Sequence, residues 1–224
     1  MTADLTQQPP PAAWWSTRID VNFIASIQPI VLVGGRSRRF GRDKLREPMP
    51  DDGRLTDPQR PAMLVDRPIA ALREVFGQRV AVVGECHEAI VSRADVVMAD
   101  RYPGVGPIGG IVSALETHGG DVFVLPGDLP WITAEVVRAI LDHAAERAGM
   151  AAVLARTARL EPCVGVYRQA ALPMLQSHLA SGRRSLHDAV DVDSLHTVTV
   201  DAAALVNVNT PDALHHGPVR SATE

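Results

Sequence analysis

Five cationic side chains, Arg36, Arg38, Arg39, Arg42 and Lys44, fall within nine residues of a chain whose formal net charge is −4. Directly before them stand Gly34 and Gly35, which end the apolar run Ile30–Val33. Paired glycines let the backbone turn without a Cβ and come close to a ligand, and successive N–H groups in such a turn form a concave anion site. Lysine and arginine beside it supply charge to a phosphate chain. A local positive site in an acidic protein points to one particular anion rather than to polyanions at large, which argues against nucleic acid as a partner. A second candidate lies further on, where Asp128 follows the apolar run Val122–Pro126 in Gly-Asp-Leu-Pro; a carboxylate there can hold Mg²⁺ against substrate phosphates.

Two familiar phosphate motifs do not fit the first stretch. A P-loop requires lysine directly after its second glycine, but Arg42 follows Gly41. The dinucleotide fingerprint G-x-G-x-x-G is equally unmatched. The residues resemble instead the signature L-x-G-G-x-S-x-R-[MF]-G-x-D-K of the molybdenum cofactor guanylyltransferases, in the nucleoside-triphosphate transferase superfamily. The resemblance extends through Asp100 and Tyr102-Pro103-Gly104-Val105-Gly106-Pro107-Ile108-Gly109-Gly110, the Gly-Asp-Leu-Pro turn, Glu161–Tyr167, Gly182–Leu186 and Asn207–Pro211.

This resemblance implies contacts to a guanine nucleotide from Leu32, Val33, Gly34, Gly35, Ser37, Lys44, the surroundings of Gly84, Asp100 and Asp128. It also implies Mg²⁺ on Asp128, catalytic roles for Arg39, Lys44 and Asp128, and contacts to a pterin-type cofactor substrate from Arg184, Asn207 and Asn209. The implied activity is transfer of GMP from GTP to molybdopterin-type molybdenum cofactor, with molybdoenzymes or cofactor-handling proteins as possible partners. A cytidylyltransferase, a sugar-phosphate nucleotidyltransferase and a non-catalytic nucleotide-binding module remain as alternatives. The chain departs from the family pattern at Val33 (commonly alanine), at Phe40 (commonly methionine), in a longer loop Leu45–Pro61, and at Gly84, where relatives often carry an asparagine.

The elements that must position these residues follow from periodicity. Short apolar runs at Ile30–Val33, Arg79–Val83, Val96–Met98, Val122–Pro126 and Ala151–Ala155 read as buried strands. Between them lie amphipathic helices at Ala62–Phe76 (kinked at Pro68 or starting at Arg67), Cys86–Ser92, Gly109–Thr117 and Ala134–Arg147, the last N-capped by Thr133. This alternation predicts a three-layer α/β/α sandwich with a mainly parallel, Rossmann-like sheet, the nucleotidyltransferase fold. Beyond it the pattern predicts a strand Cys163–Tyr167, a helix Ala170–Ala180, a short helix near Leu186, strands near His196–Val200 and Val206–Val208, and a helix from Pro211.

With 224 residues and 46% hydrophobic content, the chain reads as one domain over residues 27–217. Residues 1–26, with a proline triplet and Trp14-Trp15, read as a flexible extension, and 218–224 as a tail. No run approaches the ~18 apolar residues of a membrane span and no signal pattern opens the chain, so a cytoplasmic protein without membrane attachment is expected. Cys86 and Cys163 lack metal or disulfide spacing and read as small apolar residues.

Overall fold

The computed structural model describes residues 20–34, 43–49, 61–208 and 214. Seven strands form one sheet: β1 (Gln28–Leu32), β2 (Ala81–Val83), β3 (Val96–Met98), β4 (Val122–Pro126), β5 (Ala152–Arg156), β6 (Leu160–Tyr167) and β7 (Leu195–Thr199). Their spatial order is β3-β2-β1-β4-β6-β5-β7, and every neighbouring pair is parallel except those of β6, which runs antiparallel to both β4 and β5. The helices are α1 (Val21–Ser26), α2 (Asp66–Phe76), α3 (Glu88–Val91), α4 (Pro107–His118), α5 (Ala134–Glu146) and α6 (Leu172–Ala180). The expected α/β/α sandwich with a mainly parallel sheet is the fold observed.

Side chains alternate across the strands, and the alternation builds two cores. Val31, Val82, Phe123, Leu125 and Val153 face one layer, made of α2 and α5 with Ile24 and Ile90. Ile30, Ala81, Val83, Val122, Val124 and Leu154 face the other, made of α4 and α6. Both faces are covered, so the central strands are apolar throughout and nearly all of these residues are inaccessible to solvent.

Several elements differ from the expectations. Helix α2 starts at Asp66, which places Pro68 in its first turn, where a missing N–H breaks no helical bond; no kink is needed. Helix α4 starts two residues early, at Pro107, after Gly106 at φ 91°. Strand β6 begins at Leu160 because it is the second arm of a hairpin with β5. The segment at Leu186 makes turns and bends rather than a helix, and Val206–Val208 is not a strand, since the Val208 N–H donates to the Asp128 carbonyl at 3.2 Å. Of the helix expected from Pro211, Leu214 alone lies among the described residues; it is helical and buried against Leu64 and Val208.

The last six residues of the segment read as an extension form α1. Asp20 caps it by accepting from the Asn22 N–H at 2.9 Å. At its other end the Arg79 guanidinium donates to the carbonyls of Ile24, Ala25 and Ile27, satisfying acceptors that a helix terminus leaves open. Trp14 and Trp15 lie outside the described residues.

Candidate active site

In an open α/β sheet, ligands bind beyond the carboxyl ends of the strands. Four strands deliver sequence-predicted residues to that edge. Strand β1 leads into Val33 and Gly34, β2 into Gly84, β3 into Asp100 and β4 into Asp128. Because β6 is antiparallel, its beginning lies at this edge too; its ladder with β4 ends at Val124↔Gly165, and Cys163 just beyond feels the charges of both Asp128 and Glu161.

The strand ends touch backbone to backbone. Val33 N–H donates to the Val83 carbonyl at 2.9 Å and Gly127 N–H to the Leu32 carbonyl at 3.0 Å, extending both parallel ladders beyond the strands. Gly84 has φ +122°, and a Cβ there would sit 1.8 Å from the Val33 carbonyl oxygen. Only glycine fits. At Gly34, φ +99°, a Cβ would come within 2.9 Å of the Glu85 carbonyl oxygen. Helix α4 is drawn against this edge in the same way, since a Cβ on Gly110 would meet Leu32 Cδ2 at 2.8 Å.

Lys44 and Asp128, eighty-four positions apart, meet at the centre. Lys44 Nζ donates to Asp128 Oδ2 at 2.5 Å, and their side chains are 21% and 16% exposed. Lys44 also reaches the Val208 carbonyl at 3.5 Å. Its backbone is fixed by a short 3₁₀ turn, Lys44–Arg46, capped by the Asp43 carboxylate, which accepts from the Leu45 N–H at 3.2 Å. Leu45 is buried and packs where Gly127 leaves room, so the lysine turn is seated directly on the Asp128 turn.

Asp100 is half-buried and tied down locally. Its Oδ1 accepts from Tyr102 N–H at 2.8 Å and lies 3.3 Å from the Ser113 hydroxyl, which itself accepts from Arg101 N–H at 2.8 Å. The Tyr102 hydroxyl donates to Glu116 at 2.8 Å. That bond to a carboxylate pushes the Tyr102 phenol up, with burial adding to it. Burial alone would raise Glu116, but hydrogen bonds from Tyr102 and Gln176 and the Arg101 charge outweigh it and hold the carboxyl below its usual value. The loop from Asp100 to Gly106 is thus clamped to α4, whose Glu116 is in turn held by Gln176 of α6 at 2.8 Å.

The opposite half of the edge is built by the β5–β6 hairpin and the 3₁₀ turn Ala202–Leu205. A depression of about 320 Å³ opens there, lined by Thr157, Arg159, Glu161, Leu205 and Asn207 among others. Glu161 accepts from the Thr157 hydroxyl at 3.0 Å and from Arg159 Nε at 3.3 Å. Cys163 stands two residues after Glu161; burial and then the charges of Asp128 and Glu161 push its thiol up to about 12, so it stays protonated. Both cysteines are free thiols.

Leu32, Val33, Gly34, Lys44, Gly84, Asp100 and Asp128 therefore share one edge. Asn207 is exposed and joins that edge through its neighbour Val208. Arg184 is exposed in the segment after α6, and no hydrogen bond or ion pair among the described residues links it to Lys44 or Asp128. Gly35, Ser37, Arg39 and Asn209 lie outside the described residues. Sequence reasoning missed Val208, whose main chain touches both Lys44 and Asp128, because a backbone contact leaves no residue-type signal. The closeness of Cys163 to Asp128 was equally hidden, since it depends on the direction of β6.

Residues 29–198 match the family model described as "MobA-like NTP transferase domain". The chain belongs to the MobA-like NTP transferase family. Among members of this family, a probable molybdenum cofactor guanylyltransferase of Chloroflexus aggregans is 32% identical over 197 residues, covering 83% of this chain and 90% of that protein. One from Mycobacterium tuberculosis strain H37Rv is 30% identical over 194 residues, with coverage of 83% and 90%. The crystal structure of molybdopterin-guanine dinucleotide biosynthesis protein A from Archaeoglobus fulgidus superposes with a TM-score of 0.63 at 25% identity, covering 85% of this chain and 96% of that one. The MobA-like relationship makes this chain a nucleotidyltransferase, and it spans nearly the full length of its relatives. No helix among the described residues is long and apolar enough to cross a membrane.

Proposed function

We propose that this protein transfers GMP from GTP to a molybdopterin-type molybdenum cofactor, releasing pyrophosphate and forming the guanine dinucleotide cofactor. The observation that carries the reading is the Lys44–Asp128 pair at the carboxyl edge, flanked by the glycine-lined ends of β1 and β2 on one side and by the depression beside β6 on the other. The reading assigns the donor nucleotide to the first side, with Leu32, Val33, Gly34, Gly84 and Asp100, and the acceptor to the second, with Asn207; the family resemblance adds Gly35 and Ser37 for the donor and Arg184 and Asn209 for the acceptor.

Phosphoryl transfer asks a protein chiefly for alignment and for neutralisation of the charge growing on the leaving group. The α–β phosphoanhydride of GTP breaks as an oxygen of the acceptor's terminal phosphate bonds the α-phosphorus, and the electron pair leaves on pyrophosphate. That attacking oxygen is already anionic at neutral pH, so no general base is required. Lys44 is placed to hold the departing phosphates, and the family resemblance assigns Arg39 and the N–H groups of Gly34 to Ser37 to the same task.

A divalent ion fits Asp128 on the chemistry of the donor: a hard carboxylate oxygen, partly exposed, against which a cationic ammonium already rests at 2.5 Å. Mg²⁺ keeps most of its waters and commonly uses one or two carboxylates plus substrate phosphates, so a single aspartate suffices. Among the described residues no cluster of three or more metal-type side chains offers another place for it. When bound, Mg²⁺ would supply positive charge to the phosphate oxygens. The reading places the protein in the cytoplasm, where GTP is available, with its two substrates and the proteins that deliver or receive the cofactor as partners.

The test is pyrophosphate release with each of the four nucleoside triphosphates, with and without molybdopterin, alongside analysis of the dinucleotide formed. Guanine dinucleotide dependent on both substrates is expected. Release without any dinucleotide, or none with any nucleotide, would overturn the reading.

A further inference from the structure

We infer that Lys44 is the internal counter-ion of Asp128 in the nucleotide-free protein, and that metal and triphosphate bind together by exchanging partners within this one ion pair. The inference rests on the functional reading above, which asks these two residues to hold opposite partners: Lys44 an anionic phosphate, Asp128 a cation. Neither partner is engaged while the ammonium sits at 2.5 Å from Oδ2.

The surrounding structure confines the exchange to side chains. Lys44 is held at its backbone by the Asp43-capped turn and by buried Leu45, which is 6% exposed. Asp128 is held at its carbonyl by Val208 N–H, and the Val208 side chain is fully buried in a cluster with Leu64 and Leu214. The second acceptor of Lys44, the Val208 carbonyl at 3.5 Å, belongs to the same staple. What can move is the four-carbon stem of the lysine, a flexible arm with three rotatable donors.

Charge then dictates the order. A metal ion alone must displace the ammonium from Asp128 and leave it beside a divalent cation. A metal-free triphosphate offers Lys44 a new partner but leaves the Asp128 carboxylate facing phosphate. The metal–triphosphate complex brings one cation and one anion, so each residue exchanges one opposite charge for another and nothing is left unpaired. The ion pair therefore discriminates against each half-ligand and favours the complex.

The signature is a gain of binding on truncation. In the nucleotide-free full chain, Mn²⁺ binding read by the loss of the free-ion electron paramagnetic resonance signal should tighten about tenfold in Lys44→Met relative to wild type, and similarly in Lys44→Gln. Asp128→Asn should bind metal-free GTP, in the presence of EDTA, about tenfold more tightly by titration calorimetry. Both variants should lose affinity for the Mn²⁺–GTP complex. Arg46→Met removes a charge from the same turn at an exposed position, and should leave Mn²⁺ affinity within about twofold if direct pairing rather than diffuse charge is the cause. Circular dichroism of each variant confirms the fold. Mn²⁺ affinity unchanged in both Lys44 variants, or raised equally by Arg46→Met, would overturn the inference while leaving the functional reading intact if wild type still binds the complex. Wild type that binds no Mn²⁺–GTP complex would overturn both.

Discussion

Replacing Gly84 with alanine tests whether the end of β2 is shaped by backbone contact. The added Cβ would lie 1.8 Å from the Val33 carbonyl oxygen and 2.9 Å from its carbon. Neither atom can swing aside, because Val33 is buried and its own N–H is bonded to the Val83 carbonyl, one residue before the substitution. The two strand ends would have to part by roughly 1.2 Å or more in a region packed at crystal-like density. Overpacking of this kind costs about 1–3 kcal/mol. The backbone adds about 1–2 kcal/mol, since φ +122° lies well beyond the left-handed minimum that a side chain tolerates. About 3 kcal/mol in a domain of this size lowers the melting temperature by roughly 6–12 °C. Thermal unfolding by circular dichroism reads the loss, and GTP affinity should fall with it because Gly34 sits against the same strand end. Gly84→Asn should be at least as damaging, since the longer side chain starts from the same obstructed Cβ. A variant melting within 2 °C of wild type with unchanged GTP affinity would refute the reasoning.

Other outcomes follow from the same geometry. Asp128→Asn should fold normally and lose Mg²⁺-dependent turnover, while full activity at ordinary magnesium concentration would make Asp128 a turn residue only. In competition between equal GTP and CTP with Mg²⁺ and molybdopterin, guanine dinucleotide should dominate, but by less than in a relative with asparagine at the end of β2; predominance of the cytosine dinucleotide would move the protein to the cytidylyltransferases. His196 pairs with His143 at 3.4 Å, and burial, then the Arg147 and His143 charges, hold its imidazole below 6.5. The unfolded chain therefore binds the proton more readily, so this site leaves stability intact above about pH 6.5 and withdraws it as pH falls through the lowered value. His196→Phe should flatten urea stability measured from pH 7 to 5, and an unchanged slope would remove His196 as its source.

The alternation of strands and helices from residue 62 to 155 was readable because buried parallel strands are uniformly apolar and their helices amphipathic. The places where the reading fell short share a physical cause. Hydrophobicity has no direction, so Cys163–Tyr167 announced a strand but not that it runs against its neighbours, nor that its hairpin begins at Leu160. Val206–Val208 has the β-branched composition of a strand, yet its main chain bonds to the Asp128 turn and the lysine instead of to a ladder. Pro68 looked like an interruption because sequence alone does not say which residue opens a helix. Lys44, Asp128, Asp100 and Gly84 were legible as separate landmarks. That the first two touch was not, because they stand eighty-four positions apart in the chain.

The reversed strand also affects how the two specificities are encoded. The residues assigned by the proposed reading to the donor, from Leu32 to Asp100, come from the stretch of chain before β4, while those lining the depression proposed for the acceptor, Glu161, Leu205 and Asn207, come after α5. The two sides are contiguous blocks of sequence, joined by the β4–β6 ladder, by the packing of α4 on α6 and by the Arg168–Asp121 and Gln176–Glu116 bonds. An exchange of chain within α5 would pair the nucleotide half of one such enzyme with the acceptor half of another, provided that the β4–β6 and α4–α6 packing is matched as well. Divergence in what is modified need not disturb which nucleotide is spent.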